Sequence, residues 1–419
     1  MAPVPPRLLF GMTGPLKDLR VLDLSRVLAG PWCSQLLADL GAEVIKVERP
    51  GTGDDTRAWG PPWLRDEAGR DTAESAYCLC ANRGKRSIAL DLARPEGARI
   101  ARELAAKSDV LIENYKVGAL ARYGLDHASL AALNPRLIYC SITGFGQDGP
   151  RAREAGYDFI VQGLGGLMSI TGRPDGEPGA GPLKVGVAVT DLMTGMYAAV
   201  AVLAALAHRA RSGEGQTIEL ALLDCTVAML ANQATNYLAS GRSPGRLGNA
   251  HPNIVPYQSF AAADGDVIVA VGNDGQFRRY CEAIGRPGLA DDPRFATNRA
   301  RVANRAPLVA LLEPIMAQRR SREWVERLEA AGVPCGPINR IEEVFADPQV
   351  IHRGMKIELE HPLAGRVSLV GNPIRMSATP IEYRDPPPLR GQHGAQILRE
   401  LLGMDEKEVE RLRGAGVIE

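Results

Sequence analysis

The sequence predicts an α/β protein whose larger domain is a Rossmann-like sheet of parallel strands, accompanied by a smaller α+β domain. Three observations predict this fold. Apolar strands alternate with helices through the first half of the chain, the turns between them are short, and glycine is frequent, at 45 of 419 residues. A strand, a helix and a strand joined by short turns form a βαβ unit, which implies parallel pairing and a right-handed crossover.

The first βαβ unit covers residues 19–48. Residues 19–24 alternate into an apolar strand, Gly30 and Pro31 open a helix that runs through Leu40, and residues 43–48 form a second strand. Proline suits the first turn of a helix, because its missing N–H has no partner there in any case. The same alternation then repeats along the chain. It predicts strands at 87–90, 110–113, 137–143 and 216–221, and helices at 95–108, 194–210 and 225–239.

The alternation of strands and helices is interrupted near residue 240, where a Ser-Gly-Arg-Ser-Pro-Gly segment indicates a loop. Strand patterns return at 356–369, and a capped amphipathic helix is predicted at 405–414. We therefore expect the N-terminal part of the large domain at 1–224 and a small domain at 225–330. Residues 331–419 are expected to form a linker and the C-terminal part that completes the large domain.

The charge balance excludes several classes of partner. Lys and Arg total 49, as do Asp and Glu, so the net charge is zero and neither a nucleic acid nor a membrane is an expected partner. The longest strongly apolar stretch, 196–207, is shorter than the roughly 20 residues that span a bilayer. Seven cysteines without CxxC spacing predict reduced thiols in a cytoplasmic protein and no metal site.

Polar side chains follow several of the predicted strands, at the sheet edge where nucleotides bind in such folds. Arg49 follows the second strand, Asn114 and Tyr115 follow another, and Arg122 lies just beyond. Arg49 taken alone is also explained as a surface arginine, but basic and polar side chains at the same sheet edge together suggest a nucleotide better than any one of them does. The turn at 25–31 has a single glycine, Gly30, where the dinucleotide fingerprint needs three, so NAD or FAD binding is poorly supported.

Asp191 is the sharpest candidate for chemistry. It is flanked by apolar sequence at the start of a predicted buried helix. A carboxylate there is either a helix N-cap or a catalytic group, and as a nucleophile it forms a covalent acyl intermediate. His251, in a Gly-Asn-Ala-His-Pro-Asn loop, is either a residue that closes over a ligand or part of a structural turn.

Longer motifs give the chain a family resemblance. It resembles the family III CoA-transferases, of the formyl-CoA and carnitine-CoA transferase type, from about residue 15 to the C-terminus. The motifs that carry the resemblance are RVLAGP at 26–31, GAEVIKVERPG at 41–51, NRGKRSI at 82–88, GYD at 156–158, TDLMTG at 190–195 and HPNIVPY at 251–257.

The resemblance implies a mechanism and a set of site residues. Asp191 falls on the family's catalytic aspartate, which carries an aspartyl-CoA thioester. Tyr157 and His251 fall at the acyl site, and the implied CoA contacts are Leu28, Ala29, Arg49, Leu90, Asn114, Tyr115 and Arg122. Acyl-CoA and a carboxylic acid are then the substrates, no cofactor is held permanently, and an interlocked homodimer is implied.

Within the family, the chain resembles the succinyl-CoA:glutarate type of dicarboxylate transferase, through residues 53–62, 139–144 and 335–339. The acceptor acid stays open, and Arg83, Lys85 and Arg173 are candidates to hold a second carboxylate. Two alternatives also stay open. One is an acyl-CoA racemase, whose histidine base is replaced here by Tyr157, and the other is a non-catalytic CoA-binding protein.

Overall fold

The computed structural model describes residues 14–419. Its strands are β1 (Arg20–Asp23), β2 (Glu43–Glu48), β3 (Trp63–Arg65), β4 (Asp71–Ser75), β5 (Lys85–Ala89), β6 (Val110–Glu113), β7 (Ile138–Thr143), β8 (Gln216–Ala221), β9 (Tyr257–Ala262), β10 (Gly265–Ala270), β11 (Cys335–Pro337), β12 (Lys356–His361) and β13 (Gly365–Val370).

The helices follow the same chain order. They are α1 (Ala29–Asp39), α2 (Ala76–Leu79), α3 (Pro95–Ala106), α4 (His127–Leu133), α5 (Asp158–Leu164), α6 (Leu167–Ile170), α7 (Val189–Ser212), α8 (Leu222–Met229), α9 (Ala231–Ser240), α10 (Asp274–Ala283), α11 (Asn298–Ala303), α12 (Arg305–Met316), α13 (Ser321–Ala330), α14 (Ile341–Ala346), α15 (Pro348–His352), α16 (Gly394–Leu402) and α17 (Glu406–Gly414). Short 3₁₀ turns lie at Asp55–Ala58, Ala121–Tyr123 and Pro287–Ala290.

The chain forms two compact units. The larger contains the described residues up to Leu167, Val185–Thr235 and Ile351–Glu419, and the smaller contains Met168–Lys184 and Asn236–Val350. The sequence placed the small domain at 225–330, whereas the smaller unit runs from Asn236 to Val350 and adds the separate segment Met168–Lys184. That segment is rich in glycine and proline, but it is remote in sequence from the rest of its unit, so its composition alone does not assign it there.

The larger unit is built on a six-stranded sheet in the order β5-β2-β1-β6-β7-β8, and every neighbouring pair is parallel. The predicted parallel α/β architecture is thereby confirmed. Apolar side chains bury both faces of the sheet, as expected for parallel strands. One face packs against α3, α16 and α17, so the C-terminal helices complete that layer, and the other packs against α1 and α7.

The smaller unit has a three-stranded antiparallel sheet in the order β11-β10-β9. Its apolar core includes Phe277, Tyr280 and Trp324, which come from the helices packed on that sheet. Within this core the fully buried Arg301 donates to the backbone oxygens of Val255 and Phe295, which satisfies a charge that burial would otherwise penalise.

Helix α7 is longer than the predicted 194–210. By length and composition alone, it is the one helix among residues 14–419 that could cross a membrane. Its inner side chains Ala198, Val202 and Ala205 are buried in the core beside the sheet. The core helix of a soluble protein passes the same test.

Candidate active site

The carboxyl ends of β1, β6 and β7 surround one cleft of about 170 Å³ in the larger unit. Its lining includes residues 26–29 in the turn from β1 into α1, here called the floor, and residues 152–155 at the end of the loop at 145–155 that follows β7, here called the wall. The backbones of Gly144 and Gly156 meet at the base of this loop, where a Cβ on Gly156 would lie 2.4 Å from the Cα of Gly144. Glycine at both positions therefore lets the loop close on itself.

Asp191 lines this cleft from the third position of α7. It is not the N-cap of that helix: the N-cap position is Ala188, which has no side-chain capping bond. Asp158 supplies the cap instead, because its Oδ1 accepts the backbone N–H of Thr190 at 2.8 Å and that of Asp191 at 3.3 Å. Of the two interpretations of Asp191, the cap is therefore wrong, and its carboxylate is free for another role.

The surroundings of Asp191 favour its protonated form. Burial, and then the negative charge of Asp158, raise the pKa of Asp191 to about 7. The charge of Asp191 also acts on Tyr77: burial, and then this charge, raise the pKa of the Tyr77 phenol to about 12. A carboxylate with a pKa near 7 is a stronger base, and hence a stronger nucleophile, than an ordinary aspartate.

Helices α1 and α7 approach closely beside the cleft. Gly195 lies one turn after Asp191, and a Cβ at this position would lie 2.6 Å from the carbonyl oxygen of Ala29 and 3.0 Å from the Cβ of Trp32. The absence of a side chain thus sets the distance between the two helix starts. This contact places the turn before α1 and the aspartate of α7 on the same cleft.

Five of the predicted ligand contacts line the cleft together with Asp191. They are Leu28, Ala29, Asn114, Tyr115 and Tyr157. Tyr157 is 60% exposed. Asn114 has a role that the sequence did not reveal, because its side-chain amide exchanges two hydrogen bonds with the backbone of Arg26, at 2.9 and 2.7 Å.

The remaining predicted contacts lie elsewhere. Arg49 is exposed at the carboxyl end of β2, and Arg122 is exposed with its guanidinium over the ring of Tyr123. Leu90 is 2% exposed and belongs to the apolar core, so its side chain is already packed. His251 lies in the smaller unit, where its Nδ1 accepts the backbone N–H of Asn253.

The three candidates for a second carboxylate are occupied by other contacts. Arg83 forms a buried ion pair with Asp39 at 2.6 Å, and Lys85 forms another with Asp23 at 3.1 Å. Arg173 is exposed in the smaller unit and donates to a backbone oxygen. The buried pairs were not foreseen because their partners are 44 and 62 residues apart in sequence.

Three other basic side chains line the cleft, and none of them was predicted from the sequence to bind a carboxylate: Arg26, Lys116 and Arg153. Arg26 pairs with Asp55 at 3.0 Å. Lys116 and Arg153 are exposed, and neither forms an ion pair within residues 14–419. No group of three or more His, Cys, Asp or Glu side chains in this described part of the chain could hold a metal ion.

Comparison with known proteins supports a common family. The sequence pattern of CoA-transferase family III matches residues 16–394. The chain is 55% identical to a succinate–glutarate CoA-transferase from Agrobacterium fabrum over 92% of this chain and 96% of that relative. It is 44% identical to the succinyl-CoA:glutarate CoA-transferase of Homo sapiens over 97% of this chain and 90% of the human protein.

A solved structure also matches the fold. The crystal structure of a CAIB/BAIF family protein from Brucella suis aligns with a TM-score of 0.82 at 52% identity, covering 93% of this chain and all of the other.

Proposed function

The chain belongs to CoA-transferase family III, and from that premise we propose that it moves CoA reversibly from succinyl-CoA to a small dicarboxylic acid such as glutarate. Asp191 is the covalent carrier in this proposal. This proposal rests mainly on the position of Asp191 in a cleft at the carboxyl edge of the sheet. Its carboxylate does not cap α7, because Asp158 accepts the backbone N–H of Thr190 at the start of that helix.

The proposed reaction is a series of acyl exchanges. The Asp191 carboxylate attacks the thioester carbonyl, the C–S bond breaks, and a mixed anhydride and CoA thiolate form. The thiolate attacks the aspartyl carbonyl of the anhydride and releases succinate, which leaves an aspartyl-CoA thioester. The acceptor carboxylate then repeats the two steps in reverse. Each step replaces one activated acyl group by another, so no ATP is needed.

The dicarboxylate preference is supported by the cleft-lining cations. A four- or five-carbon diacid bound through one carboxylate at Asp191 leaves a second carboxylate to be neutralised. Arg153 lies on the wall formed by the loop at 145–155, and its guanidinium has no competing carboxylate among the described residues. A guanidinium matches a carboxylate with two parallel hydrogen bonds, so we propose that Arg153 holds the distal carboxylate.

The racemase alternative lacks one member of its acid–base pair. The racemases that the chain resembles use a histidine and an aspartate at the α-carbon of an acyl-CoA, and Tyr157 stands at the position of that histidine. We therefore retain the transferase as the proposed function.

Incubation with succinyl-CoA, followed by quenching with borohydride or hydroxylamine and peptide mass spectrometry, tests the carrier. We expect the modification on Asp191. In parallel, CoA transfer to glutarate, malate, itaconate and mesaconate is measured by chromatography of the CoA products. A label on another residue would contradict the assignment to Asp191, and absence of transfer to every diacid would contradict the substrate class.

We also propose that the protein is a homodimer. Large apolar side chains are exposed on α5, α7 and α8 of the larger unit, among them Phe159 at 57%, Val200 at 60% and Val227 at 50%. An apolar surface of this kind is expected to be covered by another protein surface. Light scattering coupled to size-exclusion chromatography is expected to give twice the mass of one 44.9 kDa chain.

A further inference from the structure

The turn between β1 and α1, residues Ser25–Val27, has its backbone held by side chains from other strands. The carbonyl oxygen of Ser25 accepts from Lys46 Nζ at 3.0 Å. Both backbone polar groups of Arg26 bond to the amide of Asn114. Lys46 belongs to β2 and Asn114 follows β6, so the strands on either side of β1 each contribute to fixing this turn.

Val27 occupies an unusual conformation in this turn. Its φ is +70°, in the left-handed region that β-branched residues avoid for steric reasons. Its backbone N–H donates to both carboxylate oxygens of Asp54, at 3.2 and 3.3 Å. Such a conformation persists only where its surroundings impose it, and the Asp54 carboxylate is the group that binds the Val27 N–H directly.

The carboxylate of Asp54 is itself fixed in place. It forms an ion pair with Lys46 at 2.8 Å, and the side chains of both residues are at most 1% exposed. Thr56 donates to the same carboxylate from its backbone N–H and from its hydroxyl. The charge of Lys46 and these bonds overcome burial and hold the pKa of Asp54 at about 2, so the pair stays ionised at neutral pH.

We propose that Asp54 and Lys46 are positioning residues for acyl-CoA binding, because they hold the Val27 turn in the conformation that forms the floor of the cleft that Asp191 also lines. Val27, Leu28 and Ala29 all line the cleft, and α1 begins at Ala29. If Val27 leaves its positive-φ conformation, the residues of the turn shift and the floor of the cleft changes shape. Neither Asp54 nor Lys46 lines the cleft, so the effect of the pair is expected on substrate affinity more than on the chemical steps.

The inference rests on the proposed function only for its kinetic readout, so CoA binding is measured separately by calorimetry with CoA alone. For Asp54→Asn, we expect the dissociation constant for CoA and the KM for succinyl-CoA to rise about tenfold, from the loss of hydrogen bonds to a charged group. We expect kcat to change less than threefold. A wild-type protein that binds CoA but transfers nothing would contradict the proposed function and leave the binding test intact.

Asp39→Asn is the matched control. Asp39 forms a buried ion pair with Arg83 at the other end of α1, so its loss costs comparable stability without touching the turn. We expect its KM and CoA affinity to stay within about twofold of wild type, while its melting temperature falls by a similar amount to that of Asp54→Asn. Equal increases in KM for the two variants would overturn the proposal.

A rescue experiment separates positioning from general destabilisation. Glycine adopts positive φ without steric cost, so Val27→Gly in the Asp54→Asn background is expected to recover at least half of the lost CoA affinity. If CoA affinity does not recover, the loss in Asp54→Asn does not arise through the conformation of the Val27 turn, and the proposal is contradicted. Should Asp54→Asn fail to fold, Thr56→Val removes a single bond to the carboxylate and is expected to raise KM in the same direction by a smaller factor.

Discussion

The Asp158 carboxylate accepts the backbone N–H of Asp191, so one aspartate caps the helix that presents the other. The two residues are thereby linked in two ways. Asp158 fixes the start of α7, and its charge adds to the effect of burial in raising the pKa of Asp191. A residue held in this manner is rigid, yet it is only partly ionised at neutral pH.

The activity is expected to depend on pH through Asp191. The nucleophile is the carboxylate, and a pKa of about 7 means that the active form is lost as pH falls below 7. The logarithm of kcat/KM for succinyl-CoA should therefore rise with unit slope from pH 5 to about 7 and level off above. Initial rates across this range check it, and a flat profile down to pH 5 would contradict the raised pKa.

Asp158→Asn is expected to move that profile to lower pH. Asparagine keeps an oxygen that accepts the N–H groups of Thr190 and Asp191, but it removes the neighbouring negative charge. The pKa of Asp191 should fall, although not to its ordinary value, since burial is the larger cause. Comparison of the two pH profiles measures the shift. An unchanged inflection would assign the raised pKa to burial alone.

Asp191→Asn is expected to abolish transfer and to stabilise the fold. The pKa of Asp191 is raised in the folded state, so the folded protein loses stability as pH rises from about 4 through 7 and keeps that cost above. Asparagine removes the cost. The gain in melting temperature should be roughly 2–6 °C at pH 8 and near zero at pH 4. An equal gain at both pH values would point to a cause other than titration.

Arg153→Gln is expected to reduce selectivity for diacids. Loss of a charged hydrogen-bonding partner should lower kcat/KM for glutarate by about tenfold to a hundredfold, with transfer to butyrate nearly unchanged. Arg153→Lys keeps the charge and should retain part of the preference. The two acceptors are compared in competition with one donor, and a parallel loss for both would remove Arg153 from this role.

Gly195→Ala is expected to disturb the site through packing. The new Cβ would lie 2.6 Å from the carbonyl oxygen of Ala29, so α7 must shift relative to α1. We expect a loss of a few kcal/mol in stability and a fall in kcat. Gly394→Ala is the matched control on a helix, because its nearest neighbour is 3.6 Å away. Thermal unfolding and steady-state rates of both variants provide the comparison.

The elements of the larger unit follow from local sequence. The strand at Glu43–Glu48, the strand at Gln216–Ala221 and the helix beginning at Pro95 have the predicted type and nearly the predicted bounds. Their signals are hydrophobic periodicity and proline or glycine at the ends, which act within a few residues. The alternation of strands and helices likewise predicts that the strands pair in parallel, but it does not predict their order in the sheet.

The contacts that hold the site in place could not be predicted from the sequence, because they join residues that are far apart along the chain. The cap on α7 comes from Asp158, 33 residues before Asp191, and the ligand of the Val27 N–H is 27 residues further along the chain. A positive φ at a valine contradicts its propensity, and tertiary contacts impose it. Lys46 and Lys85 are buried, but the sequence does not distinguish them from surface lysines, because their burial depends on the ion pairs they form with aspartates elsewhere in the chain.

The arrangement of the Val27 turn also limits how the protein can diverge. Asp54, Lys46 and Asn114 bond to the backbone of three consecutive residues, and replacing either member of the buried pair Asp54 and Lys46 leaves the other as an unpaired buried charge. The loop at 145–155 closes on itself and carries exposed side chains. New acceptor preferences are therefore expected to evolve, or to be engineered, in that loop while the turn stays invariant.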